Sequence, residues 1–394
     1  MRESLDKTQK KLSDAYSGFE QGAIRPPSEA YSLLVRVTRN CPWNRCTFCP
    51  VYKGTKFSRR PVEHVKKDID AVFQRVETFR QLADERGRVP ASEVRKLADE
   101  VDADRSPAFV AAFNWYFAGG MQSVFIQDAN SLIIQASDLV EILKHLKKRF
   151  PQIQRITSYA RSQTIARTKE EDLKAIGDAG LNRIHIGLES GSDEVLKMVK
   201  KGVTKEMHIQ AGIKVKKAGI ELSDYYMPGL GGKKYSKGHA LETADALNQI
   251  NPDFIRLRTL AIPNSAPLFE DWQSGRFEKC SEKEVIQEIL MFIQELDGIT
   301  SVVKSDHILN LFQDLEGTLP QDKEHMMNIL RTFLAMDPEQ QALYQVGRRI
   351  GVFSGLADME KPNRMARAGR ACSELGITPE NVDRVTSELM NRFI

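Results

Sequence analysis

The chain has 394 residues, 41% of them hydrophobic and 28% charged, with a formal net charge of +4. This length can bury a large core, in one large domain or two. The mild charge permits an anionic substrate but argues against nucleic acid as a partner, and the lack of a long apolar run argues against a membrane.

The polar N-terminus shows no signal-peptide pattern, so a cytoplasmic location is expected. Residues 1–29 read as an N-terminal extension that breaks at Pro26-Pro27. Six strand-like runs follow, at 33–38, 122–127, 155–159, 183–187, 220–227 and 254–260. Amphipathic stretches lie between them. Leu139, Ile142, Leu143 and Leu146 line one face of 136–150, and Leu173 and Ile176 one face of 169–179. The stretches 169–179 and 205–218 stop at Gly180 and Gly219, and 236–250 stops before Asn251-Pro252, as helix ends do. Alternating strands and helices predict a parallel sheet with helical crossovers. The six units predict an α/β fold, a partial (βα)6 TIM-like barrel that stays open. The first crossover is too long for one helix. Residues 61–76 supply that helix, and 77–120 are predicted to form a helical insertion after the first strand. The end of the insertion, 108–117, is rich in Ala, Phe, Trp and Tyr and is expected to pack. The barrel is placed at 30–310, with a last strand at 299–304 and a helical C-terminal tail over 311–394.

Five cysteines are an odd number, and a disulfide framework does not suit a chain of this length. Three of them fall in Cys41-Pro42-Trp43-Asn44-Arg45-Cys46-Thr47-Phe48-Cys49, a C-x4-C-x2-C spacing directly after the first strand. Three thiolates on one tight loop can hold three corners of an iron–sulfur cubane. The fourth iron then stays open to a ligand that is not protein, whereas a fourth cysteine would close it. Cys280 and Cys372 stand alone, so a single cluster is expected.

This loop resembles that of the radical S-adenosylmethionine (SAM) superfamily, whose commonest spacing, C-x3-C-x2-C, is one residue shorter. The likeness continues in His185-Ile186-Gly187-Leu188-Glu189-Ser190-Gly191-Ser192 and Lys200-Lys201-Gly202-Val203-Thr204. It continues again in Tyr226-Met227-Pro228-Gly229-Leu230-Gly231-Gly232. These runs resemble the branch that includes oxygen-independent coproporphyrinogen oxidase, the methylthiotransferases and the elongator catalytic subunit. The resemblance implies an oxygen-sensitive 4Fe–4S cluster on Cys41, Cys46 and Cys49, with SAM chelated at its open iron. It implies an electron from a reductant such as flavodoxin or ferredoxin. SAM then breaks into methionine and a 5′-deoxyadenosyl radical, which abstracts hydrogen from a substrate carbon. The cofactors carry this chemistry, and the protein positions and shields it.

The resemblance also implies that Phe48 lies near the adenine. It implies that Asp128, in Gln127-Asp128-Ala129-Asn130-Ser131 after the second strand, binds the SAM amino group, although the family's usual glycines are missing here. Asn130 and Ser131 are read either as cofactor contacts or as the cap of a helix beginning at Leu132. Glu189 ends an apolar strand at the sheet edge where such folds gather functional groups, and is read as a cofactor ligand. Ser158, Arg161 and Asp224 are placed on the same rim. Arg161 is read as a partner of the SAM carboxylate or of Glu189, and Lys200 and Lys201 as a solvated helix end, although the resemblance places a basic cofactor contact near them. The glycines of 228–232 let backbone approach a ligand closely. Arg256 and Arg258 alternate on the sixth strand, so they share one side. If that side is the barrel interior, they are candidates for a carboxylate or phosphate of the substrate. His307 is read as a neighbour of theirs at the mouth or as structural.

Two other readings compete. A zinc module on the three cysteines lacks a fourth ligand at suitable spacing, and the nearest histidine, His64, falls inside a predicted helix. An RNA-modifying enzyme of the same superfamily is expected to carry extra basic domains or further cysteines. Neither is evident, so a small-molecule or tetrapyrrole-type substrate is preferred and nucleic acid is not expected.

Overall fold

The computed structural model describes residues 15–100, 102 and 106–390. Its strands are β1 (Leu33–Arg36), β2 (Thr38–Arg39), β3 (Ser58–Arg59), β4 (Ser123–Gln127) and β5 (Arg155–Ala160). They continue with β6 (Arg183–Glu189), β7 (Glu221–Tyr226), β8 (Phe254–Leu257), β9 (Val302–Lys304) and β10 (Gly317–Thr318). One sheet runs in the order β1-β4-β5-β6-β7-β8-β9-β10. Every neighbouring pair in it is parallel except β9 with β10. The sheet order ends at β1 and β10, so the barrel is open, as predicted.

Helices fill the crossovers. After β3 come α1 (Val62–Leu82), α2 (Ala91–Glu100) and α3 (Pro107–Phe117); after β4, α4 (Ala136–Arg149). After β5 come α5 (Ser162–Arg167) and α6 (Glu170–Asp178); after β6, α7 (Asp193–Met198) and α8 (Lys205–Lys217). After β7 comes α9 (Gly232–Ile250), and after β8 come α10 (Leu268–Gln273) and α11 (Glu282–Glu295). The chain continues through α12 (Lys323–Leu334), α13 (Pro338–Arg349), α14 (Pro362–Glu374) and α15 (Val382–Met390). The predicted terminal segments lie partly outside the described residues, in 1–14 and 391–394.

Parallel strands covered by helices are buried on both faces, which is why they read as near-continuous runs. On the outer face Ile126, Ile156, Ile184, Ile186, Leu222, Ile255 and Leu257 join the core beneath the helices. On the inner face the rings of Phe125, Tyr159, His185 and Tyr225 follow one another, with successive centroids 5.1, 6.0 and 6.3 Å apart. Local signals set the helix ends. Thr204 caps α8, and Ser281 with Glu284 forms a capping box on α11. Asn251, at φ 48°, ends α9 in the left-handed region.

The first strand is shorter than its apolar run. Thr38–Arg39 leaves the sheet and pairs antiparallel with Ser58–Arg59. The cysteine loop is thereby held between the two strands of a small ribbon. In the insertion, Phe79 of α1 meets Phe109, Phe113, Tyr116 and Phe117, with centroids 5.4 to 6.3 Å away. The aromatic stretch therefore packs rather than standing open.

Candidate functional site

The cysteine loop is pinned at several points over the C-terminal ends of the strands. Thr47 N–H donates to Val199 O at 3.0 Å, and Thr47 O accepts from Leu268 N–H at 2.8 Å. The Trp43 indole N–H donates to Lys200 O at 2.7 Å. Gly202, at φ 72°, lies against the Trp43 ring, where a Cβ would overlap it. Phe48 packs on an apolar cluster that includes Val195, Val199, Met227 and Leu260. Asn40 and Asn44, at φ 68° and 47°, fold the loop back on itself, and asparagine tolerates that region better than most residues. Asn44 N–H points at Cys41 Sγ, 3.4 Å away.

Beside this loop β6 ends in a register shift between Gly187 and Glu189. Glu189 sits at φ 65°, and its carboxylate folds over Gly187, where any side chain would overlap Oε1. Lys201 answers it, with Nζ 3.0 Å from Oε1 and 5.6 Å from the Phe48 ring centroid. Lys201 is therefore buried, not part of a solvated helix end as expected; only Lys200 is exposed. Arg161 does not pair with Glu189. Its Nη2 donates to Lys201 O at 2.7 Å, and its guanidinium lies 5.0 Å from the Trp43 ring centroid. Burial pushes the Cys46 thiol up, and the charges of Lys201 and Arg161 pull the other way. Burial pushes Arg161 down, and Cys46 and Cys41 oppose that. Two cations and one carboxylate thus gather at the cysteine loop. Cations suit the carboxylate of an amino-acid group, and a carboxylate suits its ammonium.

Other predicted residues lie elsewhere. Ser158 stands beside Ile126 and Ile184, and Asp224 beside Ile186 and Ile255. Register neighbours share a face, so both point at the helices rather than the rim. Ser158 Oγ donates to Ile126 O at 3.0 Å. Asp224 is buried with Oδ2 unpartnered among the described residues, and burial, reinforced by Glu189, raises its pKa well above the ordinary value. The inner face belongs to their neighbours Tyr159 and Tyr225.

Asp128 is fully engaged by the protein. It accepts from the Tyr52 hydroxyl, from Arg36 Nη2 at 2.8 Å and from Asn40 N–H at 3.2 Å. These bonds fasten the end of β4 to the start of the cysteine loop. Asn130 precedes a short 3-10 helix, Ser131–Ile133, but its side chain makes no capping bond there. Asn130 Oδ1 accepts from Arg161 N–H at 3.0 Å and its Nδ2 donates to Thr164 Oγ1 at 2.8 Å, which positions Arg161. Ser131 Oγ donates to Ile126 O at 3.0 Å.

At the barrel mouth the two arginines separate. Both follow the inner face, but Arg256 is buried, bonded to Asp306, and donates to Ser223 Oγ at 3.2 Å. Arg258, past the end of β8, is exposed, and no carboxylate pairs with its guanidinium among the described residues. The 305–310 loop lies over this end. Asn310 Oδ1 accepts from Thr259 N–H at 2.9 Å, and its Nδ2 donates to Leu257 O at 2.8 Å. His307 Nδ1 accepts from Leu309 N–H at 3.2 Å, and burial, aided by the charge of Arg258, pushes the ring pKa down to about 4. The sequence singles out neither Tyr159 nor Tyr225. The alternation that puts Arg256 and Arg258 on one side of β8 also puts Tyr159 of β5 and Tyr225 of β7 on the inner face.

Among the described residues no three His, Cys, Asp or Glu side chains are placed to share one metal ion. Ligands of a single ion converge on one point, whereas each thiolate of a cubane takes a different iron. The three cysteines, the flanking cations and the apolar wall at Phe48 fit the cubane. No helix among the described residues is long and apolar enough to cross a membrane.

The model of the radical SAM superfamily matches residues 35–245. The tRNA uridine(34) acetyltransferase of Methanocaldococcus infernus is 22% identical over 256 residues, 63% of this chain and 46% of that protein. The 4′-phospho-dehydrooxetanocin synthase of Priestia megaterium is 27% identical over 237 residues, 55% of this chain and 26% of that protein. The chain thus spans less than half the length of these curated relatives. Among solved structures, the coproporphyrinogen III oxidase of Escherichia coli aligns with a TM-score of 0.43 and 15% identity, covering 67% of this chain and 52% of that one.

Proposed function

Because the chain belongs to the radical SAM superfamily and is an enzyme of that kind, we propose that Cys41, Cys46 and Cys49 hold a 4Fe–4S cluster with SAM on its open iron, and that the substrate is RNA. The observation that carries the cofactor half is the seat of Cys46 beside Lys201, Glu189 and Arg161. When bound, the cluster and SAM supply one-electron cleavage of the sulfonium C–S bond and a 5′-deoxyadenosyl radical for hydrogen abstraction. Arg161 and Lys201 would hold the methionine carboxylate of SAM and Glu189 its ammonium, while Phe48 offers a face for the adenine. The apolar cluster behind Phe48 keeps water from that side of the site.

Support for RNA comes first from the two archaeal relatives named for tRNA uridine(34) acetylation. They remove the argument against nucleic acid drawn from the mild net charge. The surface around the cysteine loop agrees. Arg45, Lys56, Arg59, Lys197 and Lys200 are exposed there, and the Arg45 guanidinium lies 5.2 Å from the Trp43 ring centroid. A cavity of about 490 Å³ beside Trp43 is lined by Lys197, Lys200 and Thr204, with Asp193 its one acidic residue. Basic groups interleaved with an aromatic ring suit a nucleic-acid strand, and clustering matters more than net charge. The tetrapyrrole-type reading has no comparable support. A phosphorylated small molecule is the second reading, favoured by the Priestia relative, a 4′-phospho-dehydrooxetanocin synthase.

The test is anaerobic turnover with dithionite and SAM, with and without bulk tRNA. Release of 5′-deoxyadenosine should rise severalfold with tRNA. A rate indifferent to tRNA would sink the RNA reading while leaving the cofactor reading intact.

A further inference from the structure

We propose that Arg258, His307 and the Tyr225 hydroxyl form an anion site at the barrel mouth that takes a phosphate of the substrate. The inference rests on the proposed function and names the chemistry by which the substrate is held.

Three segments bring the groups together. Tyr225 lies on the inner face of β7, in register with Arg256 of β8. Arg258 N–H donates to Tyr226 O at 3.0 Å, which sets Arg258 one step farther toward the mouth on the same face as Arg256. His307 comes from the loop that Asn310 ties to the end of β8. Arg258 is exposed at this edge, and its charge bears on Tyr159, Tyr225 and His307.

Each group has a free donor. Arg258 lacks a carboxylate partner among the described residues, unlike Arg256 with Asp306. The Tyr225 hydroxyl is buried beside that of Tyr159, with the residue only 8% exposed, and donates to no acceptor among the described residues. A buried hydroxyl left unpaired costs free energy, so a ligand that accepts from it is favoured. His307 Nδ1 already accepts from Leu309 N–H, so its neutral ring carries the proton on Nε2. The low pKa of His307 agrees with a neutral donor near Arg258. One guanidinium, one imidazole N–H and one phenol O–H, arriving from three segments, suit a tetrahedral anion with several free oxygens better than a planar carboxylate.

The test uses the reconstituted holoenzyme with SAM bound. Methyl phosphate, dimethyl phosphate and acetate are titrated by NMR into wild type, Arg258→Gln and Arg258→Lys. Arg258 is exposed, so neither substitution threatens the fold. Phosphate esters should bind better than acetate. Arg258→Gln should weaken them by about tenfold or more, as loss of a charge-assisted contact does, with partial recovery in Arg258→Lys. SAM affinity should stay within about twofold, since this contact is not made to the cofactor. Ester affinity unchanged in Arg258→Gln overturns the site, as does acetate binding equal to the esters. A parallel loss of SAM affinity also overturns it, by giving Arg258 to the cofactor. Failure of dimethyl phosphate alone counts against an RNA backbone and in favour of a phosphomonoester in the same site.

Discussion

Lys201 and Glu189 show how a rim can be built from a pair that neither partner could sustain alone. Each is nearly excluded from solvent, and removing one would leave the other as an uncompensated charge. In the cofactor role proposed for them, a zwitterionic ligand would replace each contact with one of its own. Asp224 is the opposite case, a buried acid whose Oδ2 has no partner among the described residues. Its pKa is raised in the folded protein, chiefly by burial. Above the ordinary carboxylate range the unfolded chain releases a proton that the folded chain keeps, so stability falls as pH rises. Asparagine removes that penalty without breaking an observed bond. Asp224→Asn should therefore raise the melting temperature more at pH 8 than at pH 5. A gain independent of pH, or a mutant less stable at pH 8, would show that Asp224 is ionised and doing something unrecognised.

The strands were legible because burial on both faces writes them as apolar runs, and the helices because glycine, asparagine or proline marks where they stop. What was hidden was which face each polar residue takes. Ser158 and Asp224 stand near the right ends of the right strands, yet one residue along a strand reverses the direction. The cysteine loop itself was plain from spacing. Its supports were not, because Val199, Lys201, Gly202 and Leu268 lie far away in sequence and meet it only in the fold. Lys201 reads as solvated in Lys200-Lys201 for the same reason. Gly202 makes this dependence measurable. Its positive φ costs a side-chain-bearing residue about 1–2 kcal/mol, and a Cβ would also strike the Trp43 ring. Gly202→Ala should lower the melting temperature and speed the loss of iron during gel filtration in air. Iron retention and melting equal to wild type would mean that the loop does not depend on this seat.

The molecule as a whole brings distant parts of its chain to one end of the sheet. The β2–β3 ribbon supplies the cysteines, the segment after α7 supplies Lys201, and the loop after β9 supplies His307. The C-terminal helices brace this end: Arg349 of α13 bonds Glu282 at the start of α11 and donates to Leu309 O at 2.8 Å, beside His307. The fold and the three thiols could be read in advance, whereas this bracing could not, because no local pattern links 282, 309 and 349. Cys280 and Cys372 take no part in the rim. Cys280 is buried, with its thiol pushed up to about 12 by burial, and Cys372 packs with Ala342, Val346 and Val382. The most direct measurement is iron, sulfide and 5′-deoxyadenosine in anaerobically reconstituted protein given dithionite and SAM. Wild type and Cys280→Ser/Cys372→Ala should each hold about four irons and four sulfides per chain and release 5′-deoxyadenosine, and Cys46→Ala should release none. Stoichiometric zinc in place of iron, or undiminished release by Cys46→Ala, would contradict the account.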